Sequence, residues 1–149
     1  MLLQNARFPQ KFRFFFCLKI VLDGLAYIQF IMYQVTFSDQ SMAELNKLDK
    51  LSQLAIMEAF SSITSAELEG NLPNIGRIHR AGKVYYRLRT GEYRIYFEIL
   101  PDGHTLHAHY LLHQHTLADF VFRFKLPYRE ETMFEQEDNF WKYLESLKK

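Results

Sequence analysis

Two adjacent strand-like runs, residues 84–90 and 93–99, are joined only by the dipeptide Gly91-Glu92. Both runs are rich in aromatic and β-branched residues, and a short glycine-containing connection between such runs predicts an antiparallel β-hairpin. Side chains alternate between the two faces of a strand, so one face of this hairpin is apolar and suits a core. The opposite face carries three arginines, Arg87, Arg89 and Arg94. A cationic face of this kind suits a polyanion or an acidic partner chain.

The composition indicates a single globular domain. The chain has 149 residues, of which 48% are hydrophobic, with 14 Phe and 9 Tyr, and this excludes a disordered protein. The formal net charge is only +1, but the charge is segregated. All six histidines and six Lys or Arg lie between residues 71 and 115, against three acids, whereas residues 130–145 are acidic. The basic centre is therefore where we expect a polyanion site.

The N-terminal residues 1–31 differ from the rest of the chain. Their long apolar run is interrupted by Lys19 and Asp23, and charges are costly inside a membrane-spanning helix. We interpret these residues as sequence upstream of a true start at Met32, with a membrane anchor or an accessory helix as the alternative. Cys17 is the single cysteine, which excludes an internal disulfide framework and fits a reducing, cytoplasmic location.

From Met32 onward the pattern predicts an α+β domain. Residues 33–37 alternate as a strand, and the capping-box spacing from Ser41 to Glu44 predicts a helix start there. Two apolar stripes separated near Asp49 predict a helical hairpin or one kinked helix. Residues 69–76 contain two glycines and a proline and are predicted to be loop. After the arginine hairpin we expect a strand over 105–113, a helical stretch ending before Pro127, and a final helix from about Asp138.

This organisation predicts three parts of the chain and an antiparallel sheet. The parts are a leader (1–31), a central domain (32–126) and an acidic C-terminal helical extension (127–149). The extension, which contains Trp141, is either a solvated helix or a segment that folds over the arginines and imitates an acidic partner. The arginines themselves could form ordinary surface ion pairs with Glu92, Glu98 or this extension.

Residues 32–123 resemble the RelE/ParE superfamily, the toxins of type II toxin–antitoxin systems. The motifs that carry the resemblance are Val35-Thr36-Phe37-Ser38 and Tyr86-Arg87-Leu88-Arg89-Thr90-Gly91-Glu92-Tyr93-Arg94-Ile95-Tyr96. The resemblance implies a small antiparallel sheet packed on an N-terminal helical hairpin, with its other face open to a ligand. RelE-like members cut mRNA at the ribosome, ParE-like members poison DNA gyrase, and a protein antitoxin holds both inactive. No membrane partner is implied.

The resemblance also implies site residues for a nuclease that works without metal or cofactor. Arg94 matches the arginine of the family's Tyr-Arg motif and is expected to stabilise the reacting phosphate, and Arg87 matches a preceding basic position. Arginine cannot act as a base because it stays protonated. His113 lies where many relatives carry a basic or histidine residue, and is the candidate for proton transfer. Substrate-binding candidates are Arg89, Tyr85, His109 and His115.

The face to which each of these histidines points can be predicted only if the strand over residues 105–113 is regular. Its apolar even positions should then face the helices, and these are Leu106, Ala108, Tyr110 and Leu112. His107, His109, His113 and perhaps His115 should then face the arginines. The alternatives are ordinary sheet histidines and a metal pair at His107 and His109.

One position departs from the family pattern. Phe122 stands where a catalytic tyrosine is expected, and phenylalanine cannot donate a proton. The leading hypothesis is a ribosome-associated mRNA endoribonuclease. Its alternatives are a gyrase poison of the ParE type and a degenerate, non-catalytic interaction module.

Overall fold

The computed structural model describes residues 11–12, 33–70, 72–126 and 131–148. Its strands are β1 (Lys11–Phe12), β2 (Gln34–Phe37), β3 (Ile75–Arg80), β4 (Lys83–Thr90), β5 (Tyr93–Ile99) and β6 (Thr105–His113). Its helices are α1 (Asp39–Lys47), α2 (Lys50–Ser61), α3 (Ser65–Glu69), α4 (Gln114–Arg123), α5 (Glu131–Phe134) and α6 (Asp138–Ser146). Apart from β1, the predicted leader lies outside the described residues. Among those described, no helix has the length and apolarity needed to cross a membrane.

The strands form one sheet in the order β1-β2-β6-β5-β4-β3. The α+β class is confirmed, but the prediction of a purely antiparallel sheet is wrong, because β2 pairs with β6 in parallel. A strand can lie parallel to a later one only when a long connection brings the chain back, and here α1 to α3 and β3 to β5 lie between β2 and β6. The sheet is therefore mixed.

Each face of the sheet carries its own hydrophobic core. The face against α1 and α2, here called the helix face, buries residues that include Phe60, Leu88, Ile95 and Phe97. The opposite face packs against α4, α5 and α6 through Tyr96, Tyr110, Phe120, Phe134, Phe140, Trp141 and Leu144. The sheet is thus the middle of three layers, and the predicted final helix is part of the third.

The helical hairpin forms as two separate helices. Ser38 caps α1 by accepting a hydrogen bond from the backbone of Ser41, so the helix begins three residues before the predicted start. Asp49 caps α2 through the backbone N–H of Ser52, which confirms the break near this position. The pKa of the Asp49 carboxyl is lowered, chiefly by a hydrogen bond with the side chain of Ser52 and to a smaller extent by backbone N–H groups.

Strand β3 replaces part of the predicted loop over residues 69–76. It begins at Ile75 and pairs with β4, so Ile75 lies opposite Leu88 and Ile78 lies opposite Tyr85. Ile75 belongs to the core of the helix face and Ile78 to the core of the other face. Because the two isoleucines point to opposite faces, this edge strand lacks the one-sided apolar alternation that identifies a strand in a sequence.

Strand β6 contains a β-bulge that changes the facing of its second half. Phe97 on β5 pairs with Ala108, whereas the preceding Tyr96 pairs with Tyr110, so His109 is an extra residue on β6. The prediction for β6 is therefore wrong beyond His109. Tyr110 and Leu112 turn to the face of α4 to α6, and His113 lies beside Tyr93, which packs on the core of the helix face.

Side chains at the start of α1 hold the bulge. The Gln40 amide donates to the carbonyl of Leu111 (3.2 Å) and accepts from its N–H (3.1 Å). The Ser41 hydroxyl donates to the carbonyl of Ala108 (2.9 Å). These bonds give side-chain partners to backbone groups on both sides of the bulge. The facing of β6 therefore depends on the contact with α1 as well as on its own sequence.

Candidate functional site

The sheet face turned away from α1 and α2 carries Arg87, Arg89, Arg94 and Tyr96 and is here called the arginine face. Its side chains lie in cross-strand rows. Arg89 is opposite Arg94, and in the next row Arg87 lies between Gly76 and Tyr96. The register thus brings together all three arginines that the hairpin pattern placed on one face.

Arg87 forms a buried ion pair with a residue of the third layer. Its Nη1 atom lies 2.7 Å from both carboxylate oxygens of Glu135. The Tyr96 hydroxyl donates to Glu135 Oε1 at 2.9 Å. Arg87 is only 3% exposed and Glu135 only 1%. A carboxylate is costly to bury alone, so these charge-assisted bonds are what allow Glu135 to lie in the core.

The C-terminal segment, residues 131–148, brings Glu135 to this position and covers the part of the arginine face around Arg87 and Tyr96. The indole N–H of Trp141 donates to the carbonyl of Glu135 at 2.9 Å. The Trp141 ring lies 5.0 Å from the ring of Tyr85 and 6.1 Å from that of Tyr96, and Phe140 makes an edge contact with Tyr96 at 5.6 Å. Tyr96 and Tyr85, the latter a substrate-binding candidate, are therefore packed against the segment.

Arg94 and Arg89 lie at the end of the arginine face nearest the β4–β5 turn. Arg94 Nη1 donates to the carbonyls of Gly91 and Tyr93, both at 3.0 Å, and the residue is half-buried. Arg89 is exposed. Like charges directly opposite each other on neighbouring strands repel and destabilise a sheet.

His109 belongs to β6 and lies on the arginine face, beside the end of β5 that is far from the β4–β5 turn. Its Nε2 is 2.9 Å from Glu98 Oε1, and its ring contacts the ring of Tyr85 at 5.8 Å. The neighbouring His107 is hydrogen-bonded through Nδ1 to the hydroxyl of Thr36 at 2.7 Å. Burial is the main cause that lowers the pKa of His107 below its usual value.

His113 lies on the opposite face from Arg94, contrary to the regular-strand prediction. Its Nδ1 accepts a hydrogen bond from the backbone N–H of His115 at 3.1 Å, and so His113 caps α4. Because Nδ1 accepts, the proton of the neutral ring is on Nε2, which lies 3.1 Å from Glu92 Oε2. The rings of His113 and His115 stack 4.6 Å apart. The structure therefore does not bring His113 together with Arg94.

Two further sequence candidates have clear positions. Phe122, where a tyrosine was expected, lies on α4 and is 83% exposed. Within the described ranges no cluster of three or more His, Cys, Asp or Glu side chains is arranged to hold a metal ion, so the possible metal pair His107 and His109 is not part of one.

Sequence reasoning missed Glu135 and Gly76 as site residues. Glu135 is one of several acids in the C-terminal segment, and nothing local distinguishes it from its exposed neighbours. Gly76 was assigned to a loop, although a Cβ at this position would lie 2.6 Å from Nη2 of Arg87. In the sequence, Gly76 is the second of two glycines in the stretch 69–76, and this glycine content indicated a loop.

No protein-family model and no curated protein sequence matches the chain. Among solved structures, the chain is similar to a chain of the RelBE toxin–antitoxin complex of Mycobacterium tuberculosis, with 23% identity and a TM-score of 0.45 over 56% of this chain and 99% of that one. It is also similar to a chain of the archaeal RelE–RelB complex of Pyrococcus horikoshii, with 18% identity and a TM-score of 0.47 over 56% and 96%. The isolated RelE toxin of E. coli matches at 12% identity and a TM-score of 0.32 over 62% and 98%. The chain thus has RelE toxins and RelE–RelB complexes as structural neighbours over somewhat more than half of its length.

Proposed function

We propose that this chain is a type II toxin of the RelE kind, which cleaves mRNA at the ribosome and is neutralised by a protein antitoxin. The observation that carries the proposal is the alignment of Arg87, Arg89 and Arg94 on one sheet face, with Arg89 directly opposite Arg94. The Arg-x-Arg, Gly, Tyr-Arg pattern of the hairpin supports the same reading.

The proposed chemistry needs positive charge where negative charge develops. When a ribose 2′-hydroxyl attacks the adjacent phosphate, the phosphorus centre gains negative charge, and fixed guanidinium groups stabilise it. Arg94 and Arg89 would hold this phosphate, and Arg87 would bind it or the next one along the strand. Arginine binds phosphate through paired N–H donors, which also orients the group.

None of the candidate histidines is placed to transfer a proton to a phosphate held by Arg89 and Arg94. His109 lies on the arginine face, but at its other end, next to Tyr85 and 2.9 Å from Glu98 Oε1. His113 lies across the sheet, where it binds Glu92 and caps α4. His115, stacked on His113, shares that location.

The position of His113 supports a second candidate, a gyrase poison of the ParE type. Such an inhibitor acts by binding and needs no group that transfers a proton. The location of His113 and the phenylalanine at position 122 are therefore compatible with this function. The buried Arg87–Glu135 pair supports a third candidate, a non-catalytic interaction module, because it occupies one of the three arginines.

Pulse labelling separates the three candidates. The full chain and its Glu135→Gln variant, which removes the carboxylate bound to Arg87, are induced in bacteria and followed by methionine and thymidine incorporation. An early fall in methionine incorporation supports the nuclease, and an early fall in thymidine incorporation supports the gyrase poison. Unchanged incorporation with well-expressed, folded protein favours the interaction module and rejects the toxin.

A further inference from the structure

The cavity around Arg87 has the features of an anion site that is already filled. Gly76 forms its floor, because the absence of a Cβ lets the guanidinium lie against β3. Tyr96 forms one wall and directs its hydroxyl at the bound carboxylate. Both oxygens of Glu135 are bound, and the group is almost completely removed from water.

The ligand class that fits this cavity is a carboxylate or a phosphate. Guanidinium groups bind both through the same N–H donors, and a tyrosine hydroxyl donates to either. The adjoining row, Arg89 opposite Arg94, adds positive charge on the same face. A nucleic acid strand presents a series of phosphates, which could contact both rows.

The polar contacts at the edge of the C-terminal segment are weaker than those at its centre. Arg80 lies 3.7 Å from the Asp138 carboxylate, whose side chain is 80% exposed, and exposed pairs of this kind add little. The Arg80 guanidinium also lies 5.1 Å from the centroid of the Trp141 ring. The apolar side chains of the segment and Glu135 therefore contribute more to holding it than this exposed pair does.

We propose that the C-terminal segment is a built-in occupant of the arginine face, with the Glu135 carboxylate standing where a phosphate of an RNA strand binds. The chain then binds RNA weakly while the segment is docked, and binding requires the segment to leave. This inference rests on the proposed function, because it assigns the resident of the same site.

Trp141 makes the docking directly observable. It is the only tryptophan in the chain and is 4% exposed, so its emission maximum and its quenching by acrylamide report on the segment. Two variants of the full chain loosen the segment in different ways. Glu135→Gln removes the carboxylate, and Phe140→Leu weakens the apolar contact without changing any charge. Glu145→Gln makes the same charge change at an exposed position of α6 and is the matched control.

Binding is measured with a fluorescein-labelled 12-nucleotide single-stranded RNA and, separately, with inorganic phosphate. We expect both loosened variants to bind the RNA about tenfold more tightly than the wild type, the change that one charge-assisted hydrogen bond produces. We expect Glu145→Gln to match the wild type, and RNA binding to shift Trp141 emission to the red. If Glu135→Gln does not fold, as judged by circular dichroism, Phe140→Leu decides the result.

The outcomes distinguish the two proposals. Equal RNA affinity in all four proteins, with Trp141 emission unchanged, overturns the built-in occupant and leaves the proposed function standing. Gain of phosphate binding in the loosened variants, with no RNA binding by any protein, keeps the occupant and rejects the nuclease. Absence of binding to both probes in every folded protein overturns both.

Discussion

Gly76 lies directly beneath the guanidinium of Arg87. A Cβ at Gly76 would come within 2.6 Å of Nη2 and 2.9 Å of Cζ of that side chain. A flexible arginine could normally move away from such a contact, but this one is fixed by Glu135 and is 3% exposed. The glycine, the arginine and the glutamate therefore form one unit that joins β3, β4 and the C-terminal segment.

The first prediction concerns the glycine. Gly76→Ala forces the guanidinium out of its place and should lower the free energy of unfolding by about 1–3 kcal/mol, the usual cost of overpacking a buried site. Urea denaturation measures the change. His79→Ala, at an exposed position of the same strand, is the control and should have little effect. Equal stability of Gly76→Ala and the wild type would show that Arg87 is not held against β3.

The second prediction concerns the buried ion pair. Arg87→Met leaves Glu135 as an uncompensated buried charge and should cost about 3–5 kcal/mol of unfolding free energy. The double variant Arg87→Met with Glu135→Leu should cost much less than the sum of the two single changes. Each single change leaves one buried charge without its partner, whereas the double variant leaves no charge behind. A double-mutant cycle in urea gives the coupling energy. Additive single effects would contradict the pairing.

The third prediction concerns the hydroxyl of Tyr96. Tyr96→Phe removes the 2.9 Å hydrogen bond to Glu135 Oε1 and keeps the ring contacts with Phe140 and Trp141. The loss should be about 1.5–3 kcal/mol, typical of a bond to a charged group. Tyr110→Phe on the neighbouring strand keeps the Tyr96 bond and serves as the comparison. A Tyr96→Phe protein that unfolds at the wild-type urea concentration would count against a buried, ionised Glu135.

The fourth prediction concerns pH. Burial, with His109 and Lys148 adding to it, lowers the pKa of His107 from 6.5 in the folded chain. The folded state then binds the proton less readily than the unfolded state, so the stabilisation is complete above pH 6.5 and is lost as the pH falls through the lower folded pKa. The urea midpoint of unfolding should therefore be lower at pH 5.5 than at pH 7.5. His107→Gln, which can still bond Thr36, should show a smaller difference, and an unchanged difference would contradict the assignment.

Local patterns predicted the elements whose signals lie within one stretch of chain. The Gly91-Glu92 hairpin, the break between α1 and α2 near Asp49, and the final helix from Asp138 all follow from turn chemistry, capping and periodicity. The facing of the three arginines follows as well, because the alternation along β4 and β5 is regular.

The features that the sequence did not predict depend on contacts between distant parts of the chain. The bulge at His109 is held by Gln40 and Ser41, which are about seventy positions away in the sequence. That contact moves His113 to the helix face, and no period in the β6 sequence reveals it. Glu135 was missed for the same reason, because only the docking of the C-terminal segment brings it to Arg87.

Mapping of mRNA 5′ ends shows whether the arginine face acts on RNA. Bacteria are induced to make the full chain carrying Glu135→Gln, with or without Arg94→Ala, and both proteins are checked for folding. We expect new 5′ ends within translated messages for the first protein, and at least about a hundredfold fewer for the second, the usual effect of removing one group that stabilises the transition state. The same ends in both cultures, or none in the first, would contradict the proposed action on RNA.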